Sequence, residues 1–202
     1  MVALMVEPPR SPGMSLREWA DLPEDDEGEL VDGQLVEEEV PEVTHEAIVS
    51  WLIGALRAWA IGRGGFVFGS ELKLGVRPGR GRKPDVSVYL PGGQVPRGRS
   101  LVRVPPGLII EVLSPSARDA RRDRIEKADE YAAFGVRLYG LIDPAARTLE
   151  LFELGADGRY VRALGAADGT VDVPGCAELR LDLDALWAEV DRLPPDDGDE
   201  EL

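Results

Sequence analysis

Glu111 is the residue whose chemistry fits its neighbours least. It stands in Leu108-Ile109-Ile110-Glu111-Val112-Leu113, a run apolar on both faces that predicts a strand at the centre of a sheet. An ionised carboxylate there costs several kcal/mol unless a cation or hydrogen-bond donors compensate. Glu111 therefore needs a partner, either a metal ion or one of the chain's arginines in a buried bridge without catalytic purpose. Asp85 opens a second strand-like run, Pro84-Asp85-Val86-Ser87-Val88-Tyr89-Leu90. There Val86, Val88 and Leu90 alternate toward one face, and Asp85, Ser87 and Tyr89 toward the other. On neighbouring strands the two acids converge into a hard, oxygen-rich site suited to Mg2+ or Mn2+, ions that keep several waters and share their shell with phosphate. Lys127 adds an ammonium of the kind phosphodiester chemistry uses beside such a metal. On a helix it shares a face with Asp123 and Tyr131, spaced i, i+4, i+8. Its competing reading is a solvent-exposed pair with Asp123, worth about a few tenths of a kcal/mol.

These side chains depend on elements that bring them together. Asp32-Gly33 suits the positive φ angles of a tight turn and predicts a β-hairpin over 30–40. Thr44 is placed to cap a helix over 44–61 whose buried face is Ile48, Leu52, Ala55, Leu56 and Trp59, with Gly62, Gly64 and Gly65 stopping it. Strands are expected over 66–76 and 84–90, joined by a basic, glycine-rich turn over 77–83, and a third over 108–113. Ser114 and Pro115 then fit the cap and first position of a helix that runs to Phe134 and ends at Gly135. This helix directly follows the Glu111 strand, so its early turns can return Lys127 to the carboxylates, while Ile125, Ala128 and Ala132 are expected to pack on the sheet. Strands over 137–142, 148–154 and 159–164 and a short helix over 183–193 complete the pattern, with an Asp157-Gly158 turn between the last two strands.

Length and composition set the frame. The 202 residues suit one domain over 14–193, with 1–13 and 194–202 reading as disordered ends. No apolar run approaches the roughly 18 residues a membrane span needs, and residues 1–13 have no basic segment followed by an apolar one, so a cytoplasmic protein is expected. Cys176 is the single cysteine, which excludes an internal disulfide or a cysteine-based zinc site. The net charge of −15 looks adverse to nucleic acid, yet its distribution is uneven. Residues 18–42 hold twelve acids and no base, and residues 194–202 five acids and no base. By contrast, residues 73–124 contain twelve bases and four acids. Such a window is either a solvated loop surface or a phosphate-facing patch.

Several ordered motifs together resemble the Uma-two family of restriction-endonuclease-like proteins, in the PD-(D/E)XK nuclease superfamily. They are Pro84-Asp85, then Pro106-Gly107-Leu108-Ile109-Ile110-Glu111-Val112-Leu113-Ser114-Pro115-Ser116, then Asp123, Lys127, Tyr131, Gly135-Val136 and Ile142-Asp143-Pro144. Gly28-Glu29-Leu30-Val31-Asp32-Gly33-Gln34-Leu35 and His45 also match the family's acidic hairpin and helix-start histidine. The resemblance implies an α/β (α+β) fold, a restriction-endonuclease-like mixed central sheet flanked by helices, with the hairpin at its N-terminal side. It implies a catalytic set of Asp85, Glu111 and Lys127, with Asp85 and Glu111 holding Mg2+ or Mn2+. The superfamily's usual lysine two positions after the second acid is replaced by Leu113, and Lys127 on the following helix takes that role. Gly28, Leu138 and Gly140 stand where the family shows Tyr, an acid and Trp. Glu29, His45, Asp123 and Tyr131 are further candidate site residues. A hairpin role for Glu29 and a satisfied core imidazole for His45 compete. Arg80, Arg82, Lys83, Arg118, Arg121 and Arg122 are the candidate nucleic-acid contacts. The implied activity is metal-dependent hydrolysis of nucleic acid, DNA in the first instance, with a homodimer as a further expectation. The rival from another class is a catalytically inactive nuclease-fold module that binds nucleic acid or protein.

Overall fold

The protein is described by a computed structural model covering residues 13–23, 28–36, 41–98, 101–116 and 120–194. Apart from Gly13 and Pro194, the expected disordered ends lie outside these residues, as do Arg118 and the far end of the hairpin. The hairpin forms as its turn chemistry predicts: β1 (Glu29–Val31) and β2 (Gln34–Val36) pair antiparallel. Asp32 and Gly33 take φ angles of 50° and 77° at the turn. Ahead of them lies a short helix absent from the sequence reading, α1 (Leu16–Ala20), closed by a capping box in which Ser15 and Glu18 each bond the other's backbone N–H. Its Trp19 packs flat on Gly81, where a Cβ would stand 2.3 Å from the indole ring. A glycine is required at that position.

Helix α2 (Val43–Ile61) matches expectation in extent and buries Ile48, Val49, Leu52, Leu56, Trp59 and Ala60. Its cap does not match: Glu42 is the N-cap and Thr44 lies inside the first turn, with no side-chain cap bond. The strand expected over 66–76 is two strands in different sheets, β3 (Phe66–Phe68) and β4 (Lys73–Arg77), separated at Gly69–Leu72. The basic segment expected as a turn is itself a strand, β5 (Arg80–Arg82), because Pro78 and Gly79 complete the reversal after β4. Strands β6 (Val86–Tyr89), β7 (Leu101–Val102), β8 (Leu108–Val112), β9 (Leu138–Asp143), β10 (Thr148–Leu154) and β11 (Tyr160–Ala166) follow, then β12 (Thr170–Asp172) and β13 (Arg180–Asp182).

Two larger sheets frame the described residues, and β12 pairs with β13 in a third, two-stranded one. The six-stranded mixed sheet runs β11-β10-β9-β8-β6-β3, parallel only between β8 and β9, and β8 sits inside it as expected. The five-stranded sheet runs β2-β1-β5-β4-β7. Because β-strand side chains alternate, β8 feeds two cores. Leu108, Ile110 and Val112 join Val86, Val88 and the α2 face, closed by α4 (Leu183–Val190). Ile109 and Leu113 join Tyr89, Tyr131, Tyr139 and Leu74 and Val76 of the five-stranded sheet. Glu111 shares the parity of this second face.

The segment after β8 differs most from its expected form. Ser114 Oγ accepts the Ser116 N–H, but Arg122–Lys127 form a π-helical stretch that passes into α3 (Ala128–Phe134). Gly135, at φ 94°, ends the helix as expected. The inward face is Asp123, Lys127, Glu130 and Tyr131, and Ile125 is 53% exposed. The expected packing of Ile125 on the sheet is therefore reversed. A π-helical stretch is a recurrent feature of functional segments, and here the buried face is the polar one.

Candidate active site

Antiparallel pairing of β6 and β8 sets Val86 opposite Ile110, and continuing that register by one pair puts Asp85 across from Glu111. The backbone fixes both carboxylates. The Asp85 N–H donates to Glu111 Oε2 at 3.3 Å, and the Val112 N–H donates to Asp85 Oδ2 at 2.7 Å. The helix then delivers two donors to the other side of Glu111, whose Oε1 accepts the Tyr131 hydroxyl at 2.7 Å and lies 3.3 Å from Lys127 Nζ. The sequence-predicted trio of Asp85, Glu111 and Lys127 thus meets in space.

Lys127 Nζ stands among three carboxylates: Asp123 at 3.1 Å, Glu111 at 3.3 Å and Glu29 at 3.6 Å. Glu111 is 1% exposed and Lys127 4%. Burial pushes the Glu111 carboxyl well above its ordinary range despite the Lys127 ammonium, and Asp85, Asp123 and Glu29 push it further. Burial likewise raises Asp123 against the pull of Lys127. Glu29 is as deeply buried, but Lys127, Arg82, the Lys83 N–H and Arg122 together outweigh that burial and hold it below its ordinary value. Burial and Glu111 keep the Tyr131 phenol protonated, so it serves as a donor. Tyr139 packs edge-on against it and donates to the Asp123 carbonyl at 2.9 Å, fixing the π-helical stretch.

His45 reaches the site from the first turn of α2, with Nε2 3.3 Å from Asp85 Oδ2. Burial alone would lower its imidazole, but Asp85 and Glu46 outweigh it and hold it above its ordinary value. Above these groups lies a cleft of about 290 Å³ whose walls include His45, Lys83, Asp85, Glu111, Arg122, Asp123 and Lys127. Glu42, Glu46, Glu71 and Asp143 also line it.

The candidate phosphate contacts divide. Arg122 and Lys83 line the cleft, Lys83 with Nζ 3.0 Å from Glu71. Arg121 is exposed on the helix and does not line it. Arg82 is fully buried, donating to Glu29 Oε2 and Glu130 Oε2 at 2.6 Å each. Arg80 forks onto Asp32 and lies 2.9 Å from Glu130. Both are framework residues, since Nε and Nη1 of Arg82 and the Arg80 fork already face carboxylates. Glu130 was absent from the sequence reading. Its position three residues after Lys127 and seven after Asp123 is the signal that would have found it.

Among the described residues no group of three or more His, Cys, Asp or Glu side chains is arranged to hold a metal ion. The donor set is the opposed pair, Asp85 and Glu111. One or two carboxylates, completed by waters and phosphate, is the common protein share of a Mg2+ shell. A buried carboxyl raised by three acidic neighbours is the kind of group such a cation would stabilise, so the residues fit a hard divalent ion.

Mixed sheets, flanking helices and cleft define an α+β fold. The chain is similar, with a TM-score of 0.71 and 23% identity over 88% of this chain and 99% of the other, to a protein from Anabaena variabilis ATCC 29413. Its crystal structure is described as that of "a putative nuclease belonging to DUF820", and the likeness is one of fold. The chain belongs to the Uma2 family, described as "Putative restriction endonuclease", whose model matches residues 15–184. No curated protein matches the chain. Among the described residues no helix is long and apolar enough to cross a membrane.

Proposed function

We propose that the protein is a divalent-metal-dependent endonuclease that hydrolyses DNA phosphodiester bonds through a PD-(D/E)XK-type site whose lysine has moved to the following helix. The observation that carries this reading is the facing pair Asp85 and Glu111 with the Lys127 ammonium 3.3 Å from Glu111, at a cleft wall. Asp85 and Glu111 would hold Mg2+ or Mn2+. When bound, such an ion acidifies water and neutralises phosphate charge. Lys127, encircled by carboxylates, acts as a fixed donor that stabilises negative charge on the phosphoryl oxygens in flight. Tyr131 holds Glu111 in register through its hydroxyl, and Asp123 holds Lys127 from one helical turn away. Arg122 and Lys83 offer charge to the flanking backbone.

The acidic edge of the cleft, Glu42, Glu46, Glu71 and Asp143, opposes a polyanion and favours the rival reading of an inactive binding module. One experiment separates the two: incubation of labelled DNA with Mg2+, Mn2+ or EDTA. Cleavage with either metal, abolished by EDTA and by Asp85→Asn, is expected. Salt-sensitive DNA binding without cleavage, and no calorimetric Mn2+ signal that Asp85→Asn removes, would establish the module instead.

A further inference from the structure

A line of alternating charges leads from the surface of the hairpin to the site. Asp32, at the turn, accepts from Arg80 at 2.8 and 3.1 Å, and Arg80 lies 2.9 Å from Glu130. Arg82 links Glu130 to Glu29 with one 2.6 Å hydrogen bond to each, and Glu29 Oε1 lies 3.6 Å from Lys127 Nζ. The Lys83 N–H donates to that same oxygen at 3.0 Å. Arg82 is fully buried, and its Nη2 makes no hydrogen bond to any described residue. An orphan buried donor is unfavourable and calls for an explanation. The geometry supplies one: the guanidinium is placed to hold two carboxylates from different elements, Glu29 on β1 and Glu130 on α3, and not to satisfy itself.

We propose that Arg82 is a positioning residue for the site: by clamping Glu29 to Glu130 it fixes the carboxylate beneath Lys127, and so fixes where the ammonium stands between Glu111 and Asp123. The effect on hydrolysis rests on the function proposed above, but the effect on Lys127 does not. With the clamp, β1, β5 and α3 present a rigid anionic seat. Without it Glu29 Oε2 loses its donor and only Oε1 stays tied, to the Lys83 N–H and Lys127, so the carboxylate turns and Lys127 shifts toward Asp123 and Glu111. Arg82 touches no reacting atom in this arrangement, since Glu29 and Lys127 stand between it and the cleft.

Arg82→Gln alone takes the shared guanidinium from two buried acids, leaving Glu130 with Arg80 and Glu29 with Lys127 and the Lys83 N–H, and a melting temperature lower by roughly 10 °C is expected. The informative variant is Arg82→Gln with Glu130→Gln, which replaces the guanidinium and the far acid of the clamp by two amides and keeps the Glu29 carboxylate beneath Lys127. It should regain most of the lost melting temperature, yet DNA cleavage should remain about 30-fold down, in kcat more than in KM. The second readout is independent of cleavage. The chain has three lysines, Lys73, Lys83 and Lys127, so 13Cε-lysine NMR resolves Lys127, assigned by Lys127→Arg. Its signal should shift and sharpen toward that of a mobile lysine in the double variant while Lys73 stays unchanged. Recovery of wild-type cleavage together with an unmoved Lys127 signal would overturn the proposal and leave Arg82 a purely structural residue. If wild type cleaves no DNA with either metal, the hydrolytic reading fails, and the Lys127 signal alone decides the positioning role. Should the double variant not fold, Arg82→Lys takes its place, because an ammonium on a flexible stem lacks the fixed planar fork that sets Glu29 and Glu130 in place: a displaced Lys127 signal supports the clamp and an unmoved one refutes it.

Discussion

Two groups of carboxylates, buried except for the half-buried Asp85, lie around and behind Lys127, and the protein treats them in opposite ways. In the outer group, Glu29 and Glu130 are tied by Arg82 and Arg80 with contacts of 2.6 to 2.9 Å, and against burial Lys127 first, then Arg82, hold Glu29 below its ordinary value. In the inner group, Asp85, Glu111 and Asp123 gather near one ammonium, and Glu111 is pushed well above its ordinary value. Equal burial with opposite shifts means that charge compensation, not depth, separates them. Fixed guanidinium partners make a framework, whereas an acid surplus beside a cleft makes a site that gains from a cation supplied from outside.

The sharpest way to break this contrast is to remove inner charge without removing volume. Glu111→Gln should lower Mg2+-dependent cleavage by about 10³-fold while stability at neutral pH holds or rises, since the lost carboxylate is one the fold disfavours in ionised form. Cleavage assays beside thermal melts check this, and a large loss of stability would mean Glu111 belongs to the framework. The outer group should behave inversely. Glu130→Ala leaves Arg82 and Arg80 short of a carboxylate and should cost about 3–5 kcal/mol in denaturant unfolding, with Mn2+ binding by calorimetry retained. Metal itself gives a third, smaller effect. At 100 times its dissociation constant, Mg2+ or Mn2+ should stabilise the wild type by about 2.7 kcal/mol, and Asp85→Asn should show no such gain.

The pH dependence of the metal-free protein sharpens the contrast further. Glu29 has a folded value below its ordinary 4.5, so its stabilisation is present above 4.5 and is lost as pH falls through the lower, folded value. Glu111 has a folded value well above 4.5, so it favours the folded state most below 4.5, and that advantage is lost as pH rises through its folded value. Melting temperature against pH in EDTA should therefore lose part of its acid limb in Glu29→Gln. Glu111→Gln should instead lose part of the decline on the other side. Identical profiles for the two variants would erase the distinction between the groups.

Much of the site was legible because a carboxylate in an apolar strand is a local contradiction. Glu111 and Asp85 stand out from their neighbours, and the hairpin turn, the α2 core face and the Gly135 stop follow from turn chemistry and periodicity. What the sequence concealed is tertiary. Arg80 and Arg82 lie in a basic stretch that reads as a solvent-facing turn, and only the pairing of β5 with β1 and β4 carries them inward to acids about 50 positions away in the chain. The break between β3 and β4 was hidden for a similar reason, since the apolar residues on both sides of it serve different sheets. The acids that compensate Arg82 come from two distant segments, and no spacing rule links them.

Ile125 gives the smallest effect and tests the least expected feature. Hydrophobic periodicity places Ile125, Ala128 and Ala132 toward the sheet; Ala128 does pack against the second core, yet the face with Asp123, Lys127, Glu130 and Tyr131 is the one buried, and Ile125 is 53% exposed. The reversal follows from what lies beneath the helix: Glu111 and Glu29 need donors, which Lys127 and Tyr131 supply from the helix, and the buried Arg82 that donates to Glu29 needs the Glu130 carboxylate as its second acceptor. Burying Ile125 instead would gain about 1.5–3 kcal/mol of apolar transfer, less than the cost of leaving those acids unpaired in the interior. Ile125→Gln should therefore change unfolding free energy by no more than about 0.5 kcal/mol, as for an ordinary surface position. A loss above about 2 kcal/mol would put Ile125 in the core, rotate the helix by its polar face, and take Lys127 away from Glu111.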